Sequence, residues 1–221
     1  MSSVVTSLRR ATLGAGLIIA LFASNDVFAG PPLICHPYEI GSAKSLPTPQ
    51  DNLGFIDSYD RKKLVPDVLA LLIPDAPVIV RMETLRRAAI YATGNLRKWK
   101  HSGGGAYTAE DKELAFALLQ KLRERSTAAA ATDRALALFD LGFYAETLRQ
   151  TDIDPALSGY DLLLKARELR NNDPEIEFAL ALASARPKRD EQSQHLAKAK
   201  AAAKENSLLA TNLASHFSAA P

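Results

Sequence analysis

From Tyr59 to the C-terminus the large apolar residues recur at steps of three and four, and no run of alternating β-branched residues interrupts them. That period places apolar side chains on one face of a helix, so it predicts helices and argues against a central sheet. Val78, Met82, Leu85, Ala89 and Ala92 form one stripe, Leu114, Leu118 and Leu122 a second, and Leu136, Phe139 and Phe143 a third. Leu209, Leu213 and Phe217 repeat the step of four at the end of the chain. The expected fold class is all-α, built as consecutive antiparallel helix hairpins joined by short turns.

Start and stop residues agree with this. Asp60 can cap a first helix reaching about Ile73, and Pro66 inside it should kink or shorten it. Pro74-Asp75-Ala76-Pro77 reads as a turn, and Gly94 as the end of the helix that follows. Asn95 to Tyr107 is expected to be a loop around Gly103-Gly104-Gly105, closed by Thr108 as an N-cap with Asp111 three residues on. Further helices are expected over about Ala128–Arg149, from Asp154-Pro155 or Ser158, from Asn171-Asn172-Asp173-Pro174 to Ala185, over Asp190–Lys204 and from Ser207.

The N-terminus is different. Arg9 and Arg10 precede an apolar run from Leu13 to Ala23, and Val27-Phe28-Ala29 closes it with small residues at the recognition positions. This is the three-part pattern of an export signal over residues 1–29, cleaved after Ala29. The apolar run is about half the ~20 residues of a membrane-spanning helix, which disfavours an anchor. Ile34 before Cys35 does not fit a lipoprotein signal, and Leu8 and Thr12 fit a twin-arginine signal poorly. Residues 30–58 are expected to form an extended arm, because Pro31, Pro32, Pro37, Pro47 and Pro49 lock φ and cannot donate hydrogen bonds. Leu33, Ile34, Tyr38, Ile40 and Leu46 are too apolar for a solvated tail, so they are expected to anchor the arm across the helices. Residues 59–126 would then hold the N-terminal helices.

Composition narrows the function classes. Lys plus Arg number 27 and Asp plus Glu 25, and loss of Arg9, Arg10 and Asp26 with the signal leaves a chain near neutrality. A dedicated nucleic-acid binder would need a basic surplus. A single cysteine excludes an internal disulfide framework and a Cys-rich zinc site. No later stretch is long and apolar enough to span a bilayer, so the mature chain is expected to be soluble and exported, periplasmic or secreted.

Leu141-Gly142, then Ala166-Arg167-Glu168-Leu169, then Asp173-Pro174 resemble the tetratricopeptide repeat, in which small residues let paired helices approach and a proline closes the unit. The helix entered at Pro174 is followed by one entered at Leu208, a step of 34 residues that this family shares. The resemblance covers about Thr132 to Phe217, within residues 127–221, although most aromatic positions of the family pattern are unmet. It implies stacked hairpins with a concave groove for a protein or peptide partner. Groove residues on the first helices would be Phe139, Phe143, Phe178 and Leu182. Gly30-Pro31-Pro32-Leu33-Ile34-Cys35-His36-Pro37 and Val78-Ile79-Val80-Arg81-Met82-Glu83-Thr84-Leu85-Arg86-Arg87-Ala88 are also similar to a group of exported bacterial proteins of unassigned function. That likeness implies export and supplies no activity.

The residues that could carry chemistry are few. Cys35-His36 offers a thiol and an imidazole that could bind zinc or copper, and the Cys35 thiol could act as a nucleophile with a distant His as base, or pair with another molecule. Neighbours in an extended chain point to opposite faces, however, and a small packed hydrophobe is the commonest role of a lone Cys. Arg97, Lys98, Trp99, Lys100 and His101 form a basic-aromatic cluster that reads as a solvated loop or an anion site. Glu83, Glu113, Glu146, Glu168, Asp152 and Asp154 are candidate carboxylates for glycosidic cleavage. Nothing marks them as paired, and Glu83 with Arg87 reads as a surface i,i+4 pair. No nucleophile elbow, zinc-protease motif or phosphate loop occurs. The functional expectation is a protein- or peptide-binding or scaffold module in the periplasm or cell envelope, with no catalytic residue, metal or cofactor implied. The alternatives are a cell-wall or glycan hydrolase with a glutamate acid, and a redox or metal protein dependent on Cys35.

Overall fold

The computed structural model describes residues 33–48, 59–93, 108–151, 153–184 and 191–217, and among these eight α-helices follow the expected punctuation. They are α1 (Leu64–Leu71), α2 (Val78–Ala92), α3 (Ala109–Ala128), α4 (Arg134–Arg149), α5 (Gly159–Leu169), α6 (Pro174–Ala183), α7 (Gln192–Ala202) and α8 (Leu208–Phe217). No strand occurs among the described residues. The export signal expected over residues 1–29, the basic-aromatic cluster at 97–101 and Asp152 lie outside them. Among the described residues no helix is long and apolar enough to cross a membrane.

The caps explain the boundaries. Asp60 accepts from the Lys62 N–H, but it opens a 3₁₀ turn at Arg61–Lys63, and α1 begins only at Leu64. Pro66 therefore falls in the first turn of α1, where its missing N–H is tolerated, and it does not kink the helix. Thr108 and Asp111 form the full reciprocal capping box of α3. The side chains of Ser158 and Asp173 cap α5 and α6, and Pro174 occupies the first turn of α6. Helix α4 starts later than Ala128, because α3 itself runs through that residue.

Helices pack as successive hairpins, with α4 against α5 and α7 against α6. The α4–α5 contact is backbone on backbone. A Cβ on Gly142 would lie 2.7 Å from the Gly159 carbonyl oxygen, and one on Gly159 would lie 2.4 Å from that of Gly142. Only two glycines permit this approach. The hydrophobic core runs from Leu33 of the arm through every helix to Leu213 of α8.

Helix α2 is the centre of the molecule. It is buried along almost its whole length, including Arg81, Glu83, Thr84 and Arg86. Its C-terminal carbonyls of Tyr91 and Ala92 accept from the Arg61 guanidinium, which also pairs with Asp111 at 2.6 Å. At its N-terminal end Arg81 binds both carboxylate oxygens of Asp140 on α4, at 2.7 and 3.0 Å. Burying charge on this scale is tolerated only where every charge is met.

Candidate functional site

The arm meets the helices along a built cradle. Leu33, Ile34, Tyr38, Ile40 and Leu46 are all buried, as their apolar character requires. The polar contacts of the cradle read mostly the main chain of the arm. The Tyr38 N–H donates to Glu83 Oε2 at 3.0 Å. Arg86 donates to the Ile34 carbonyl at 3.1 Å, Arg87 to the Leu46 carbonyl, and the Tyr91 hydroxyl to the Pro47 carbonyl at 3.1 Å. From α8, Asn212 holds both main-chain groups of Glu39, accepting from its N–H at 2.9 Å and donating to its carbonyl at 2.8 Å. Ser45 Oγ and Thr84 Oγ1, 3.0 Å apart, add a side-chain contact. Main-chain hydrogen bonds supply affinity without reading sequence, and side-chain pockets supply the selectivity.

Tyr38 fills the principal pocket. Its ring stacks on His216 at 4.9 Å and meets Phe143 and Phe178 edge-on at 6.1 and 6.2 Å. Burial pushes its phenol well above the ordinary tyrosine range, so it stays protonated. Glu83 is fully buried as well. Burial alone would raise its carboxyl, but Arg86, the Tyr38 N–H and Arg87 outweigh burial and hold it below the usual carboxylate range. Its Oε1 accepts from Arg86 at 2.9 Å and Arg87 at 2.6 Å, and its Oε2 from Arg86 at 2.7 Å. The pair expected on a helix surface is instead the buried hub of the cradle. The reason is that α2 has no solvent face for it to occupy.

Phe139, Phe143, Phe178 and Leu182, expected to line an open groove, are each 0% exposed. This corrects the expectation. Phe139 and Phe143 stack on each other at 5.7 Å, Phe143 and Phe178 are covered by Tyr38, and Leu182 lies in the core. Two of the four thus do contact a non-helical segment, but it is the chain's own. Glu83 and Arg87 were read as a surface pair, and Arg86, Asn212 and His216 were missed. The one signal for the three on α2 was a dense set of charges, Arg81, Glu83, Arg86 and Arg87, on a helix rich in apolar residues, and nothing local marked Asn212 or His216.

The remaining candidates are dispersed. Cys35 and His36 are both exposed, and the His36 ring is 6.2 Å from that of His216. Among the described residues no three His, Cys, Asp or Glu side chains gather in the way a metal ion needs. Glu146 is buried and accepts from the Tyr160 N–H at 2.8 Å, while Glu113, Glu168 and Asp154 are exposed. A second buried chain runs from Glu177 through His195 to the Tyr160 hydroxyl, 3.0 Å from His195 Nε2, with Lys198 3.5 Å from Glu177. All three of its central members are at least 97% buried, so it serves to dock α7, whose only large apolar side chain is Leu196. A cleft of about 600 Å³ lies between the turns at Pro74–Val78 and Arg170–Glu175. Burial raises the Glu175 carboxyl there, yet Glu175 Oε2 accepts from the Ile79 N–H at 3.1 Å and so caps α2, whose own N-cap Pro77 has no acceptor side chain.

Compared with protein-family models, with curated proteins and with solved structures, the chain finds no match in any of the three.

Proposed function

We propose that this chain is an exported helical-repeat protein, tetratricopeptide-like over residues 127–221, that acts as a protein- or peptide-binding scaffold in the periplasm or cell envelope. One observation supports the reading: the helices already hold a non-helical segment, residues 33–47, with turns at 33–36 and 41–42, largely through its main chain. Such a cradle accepts any extended chain that can place an aromatic side chain in the Tyr38 pocket. The arm is then a tethered ligand, and a partner binds by taking its place. The test is a pull-down from envelope extract with the mature chain, compared with Tyr38→Ala, which empties the pocket while leaving the clamps. Specific capture that rises with Tyr38→Ala supports the reading. Equal, non-specific recovery with both chains removes it.

A second reading rests on the cleft beside Glu175. A glycan hydrolase needs a carboxyl held protonated in a concave site, and Glu175 is the one glutamate that approaches this. Its role as the cap of α2 calls for the anion and works against that reading. Glycan hydrolysis by the full chain that is lost in Glu175→Gln would establish it, and its absence from the wild type would end it.

A further inference from the structure

Helix α8 delivers two side chains to the arm, one turn apart. Asn212 clamps the Glu39 main chain, and His216 lies under the Tyr38 ring. His216 is 7% exposed. Its Nδ1 is 2.9 Å from the Asn212 carbonyl and 2.9 Å from Ser215 Oγ, and the Ser215 hydroxyl itself donates to the Asn212 carbonyl. This network assigns the imidazole proton to Nδ1. Nε2 is then a buried atom with no hydrogen-bond partner. The ring is enclosed by Tyr38 at 4.9 Å, Phe178 at 5.7 Å and His36 at 6.2 Å.

The titratable and charged groups facing this ring are His36 and Tyr38 from the arm and Arg86 from α2. Helix α6 presents the Phe178 ring. The carboxylate of Glu83, also on α2, is already engaged by Arg86, Arg87 and the Tyr38 N–H. A proton added at Nε2 would place a full charge in an aromatic enclosure, opposed by the charges of His36 and Arg86 and met only by the His36 main chain.

We propose that His216 is a proton-operated latch on the arm: neutral, it lets Tyr38 seat and Asn212 hold Glu39, and protonated, it loosens both and frees the cradle. The inference rests on the binding reading above, whose site it would regulate. Burial lowers the pKa of His216, the nearby charges of His36 and Arg86 add to the lowering, and the Asn212 and His36 main chains act against it. A histidine depressed in the folded state stabilises the docked arm fully above its unfolded pKa of about 6.5, and that stabilisation is lost as pH falls from there through the folded value. The Glu83 carboxylate, held below its ordinary range, titrates only in more acidic solution.

Hydrogen exchange at the Tyr38 and Glu39 amides of the full chain reads the latch directly, because each amide donates to a clamp residue. Rates are corrected for the intrinsic effect of pH and referred to the core amide of Ile90. The expected result is full protection at both amides down to about pH 6.5 and its loss as pH falls below that, with Ile90 unchanged. His216→Phe keeps the ring contacts without a titratable nitrogen, and its protection should stay level over that range. His216→Gln repeats the comparison if the larger side chain disturbs folding. Protection that is level in the wild type, or lost equally in both variants, overturns the latch. A labelled peptide matching residues 31–48, with serine for the cysteine, is added at about pH 8, where His216 is neutral, to Tyr38→Ala, whose own arm leaves the aromatic pocket empty. If the wild-type arm opens with acid and no peptide binds this variant, the binding reading fails and the latch stands.

Discussion

Replacing Glu83 tests the claim that buried charge holds the arm to the helices. Its two oxygens accept four hydrogen bonds, from the Tyr38 N–H, twice from Arg86 and once from Arg87. Glu83→Gln keeps the volume but turns one oxygen into a donor facing two guanidinium groups, and it leaves the Arg86 charge without a counter-ion. Both Arg86 and Glu83 side chains are 0% exposed in this pair, so water cannot take over. Removing one partner of such a pair costs about 3–5 kcal/mol, a large part of the roughly 5–15 kcal/mol that holds a typical domain together. Urea denaturation of wild type and variant measures the difference. Glu124→Gln, which breaks an exposed pair with Lys121 at 2.8 Å, is the control and should leave stability unchanged. A loss below about 1 kcal/mol for Glu83→Gln, the scale of a surface pair, would refute the buried-hub account. The pH dependence gives a second measurement. A carboxyl held low in the folded state stabilises above its unfolded pKa, and that contribution is lost as pH falls through the folded value. The wild type should therefore lose stability below about pH 4.5 more steeply than the variant.

Further predictions follow from single contacts. Gly159→Ala puts a Cβ 2.4 Å from the Gly142 carbonyl oxygen, so α4 and α5 must separate, and the expected loss of about 1–3 kcal/mol would appear as a lower melting temperature. An unchanged melting temperature would show that the two helices are not in backbone contact. Asn212→Ala removes both bonds to Glu39 and should cost about 1–3 kcal/mol, with faster exchange at the Glu39 amide than at Ile90. His195→Ala leaves the Glu177 carboxylate buried without its imidazole, and limited proteolysis should then cut within α7 before the other helices. Uniform cleavage along the chain would count against a docking role for that pair. Cys35 is exposed, so a maleimide should label it in the native protein without denaturant. A requirement for unfolding would contradict the described position of the arm.

The helices were legible in the chain itself because helix formation is local. Three- and four-residue periods, the Thr108–Asp111 box, Ser158, and Pro174 after Asp173 all act within a turn of where they stand. Gly142 announced a close neighbour for the same reason, since a missing side chain in an apolar stripe serves backbone approach. Pro66 was misread only in its offset, a first-turn residue taken for an interior one.

The site obeys different physics. Whether Phe143 and Phe178 face solvent or Tyr38 depends on where residues far away in the chain come to rest, and no local period encodes that. Glu83 and Arg87 have the spacing of a surface pair in either setting, and only the arm and the neighbouring helices decide that they are desolvated. Asn212 and Glu39 are 173 residues apart, and their pairing exists only after the helices have stacked. Sequence alone therefore determined the rods and their ends, since those follow from contacts within a turn. The tertiary structure decided which faces are covered, which charges are buried and what the arm is held by, since burial belongs to the assembled molecule.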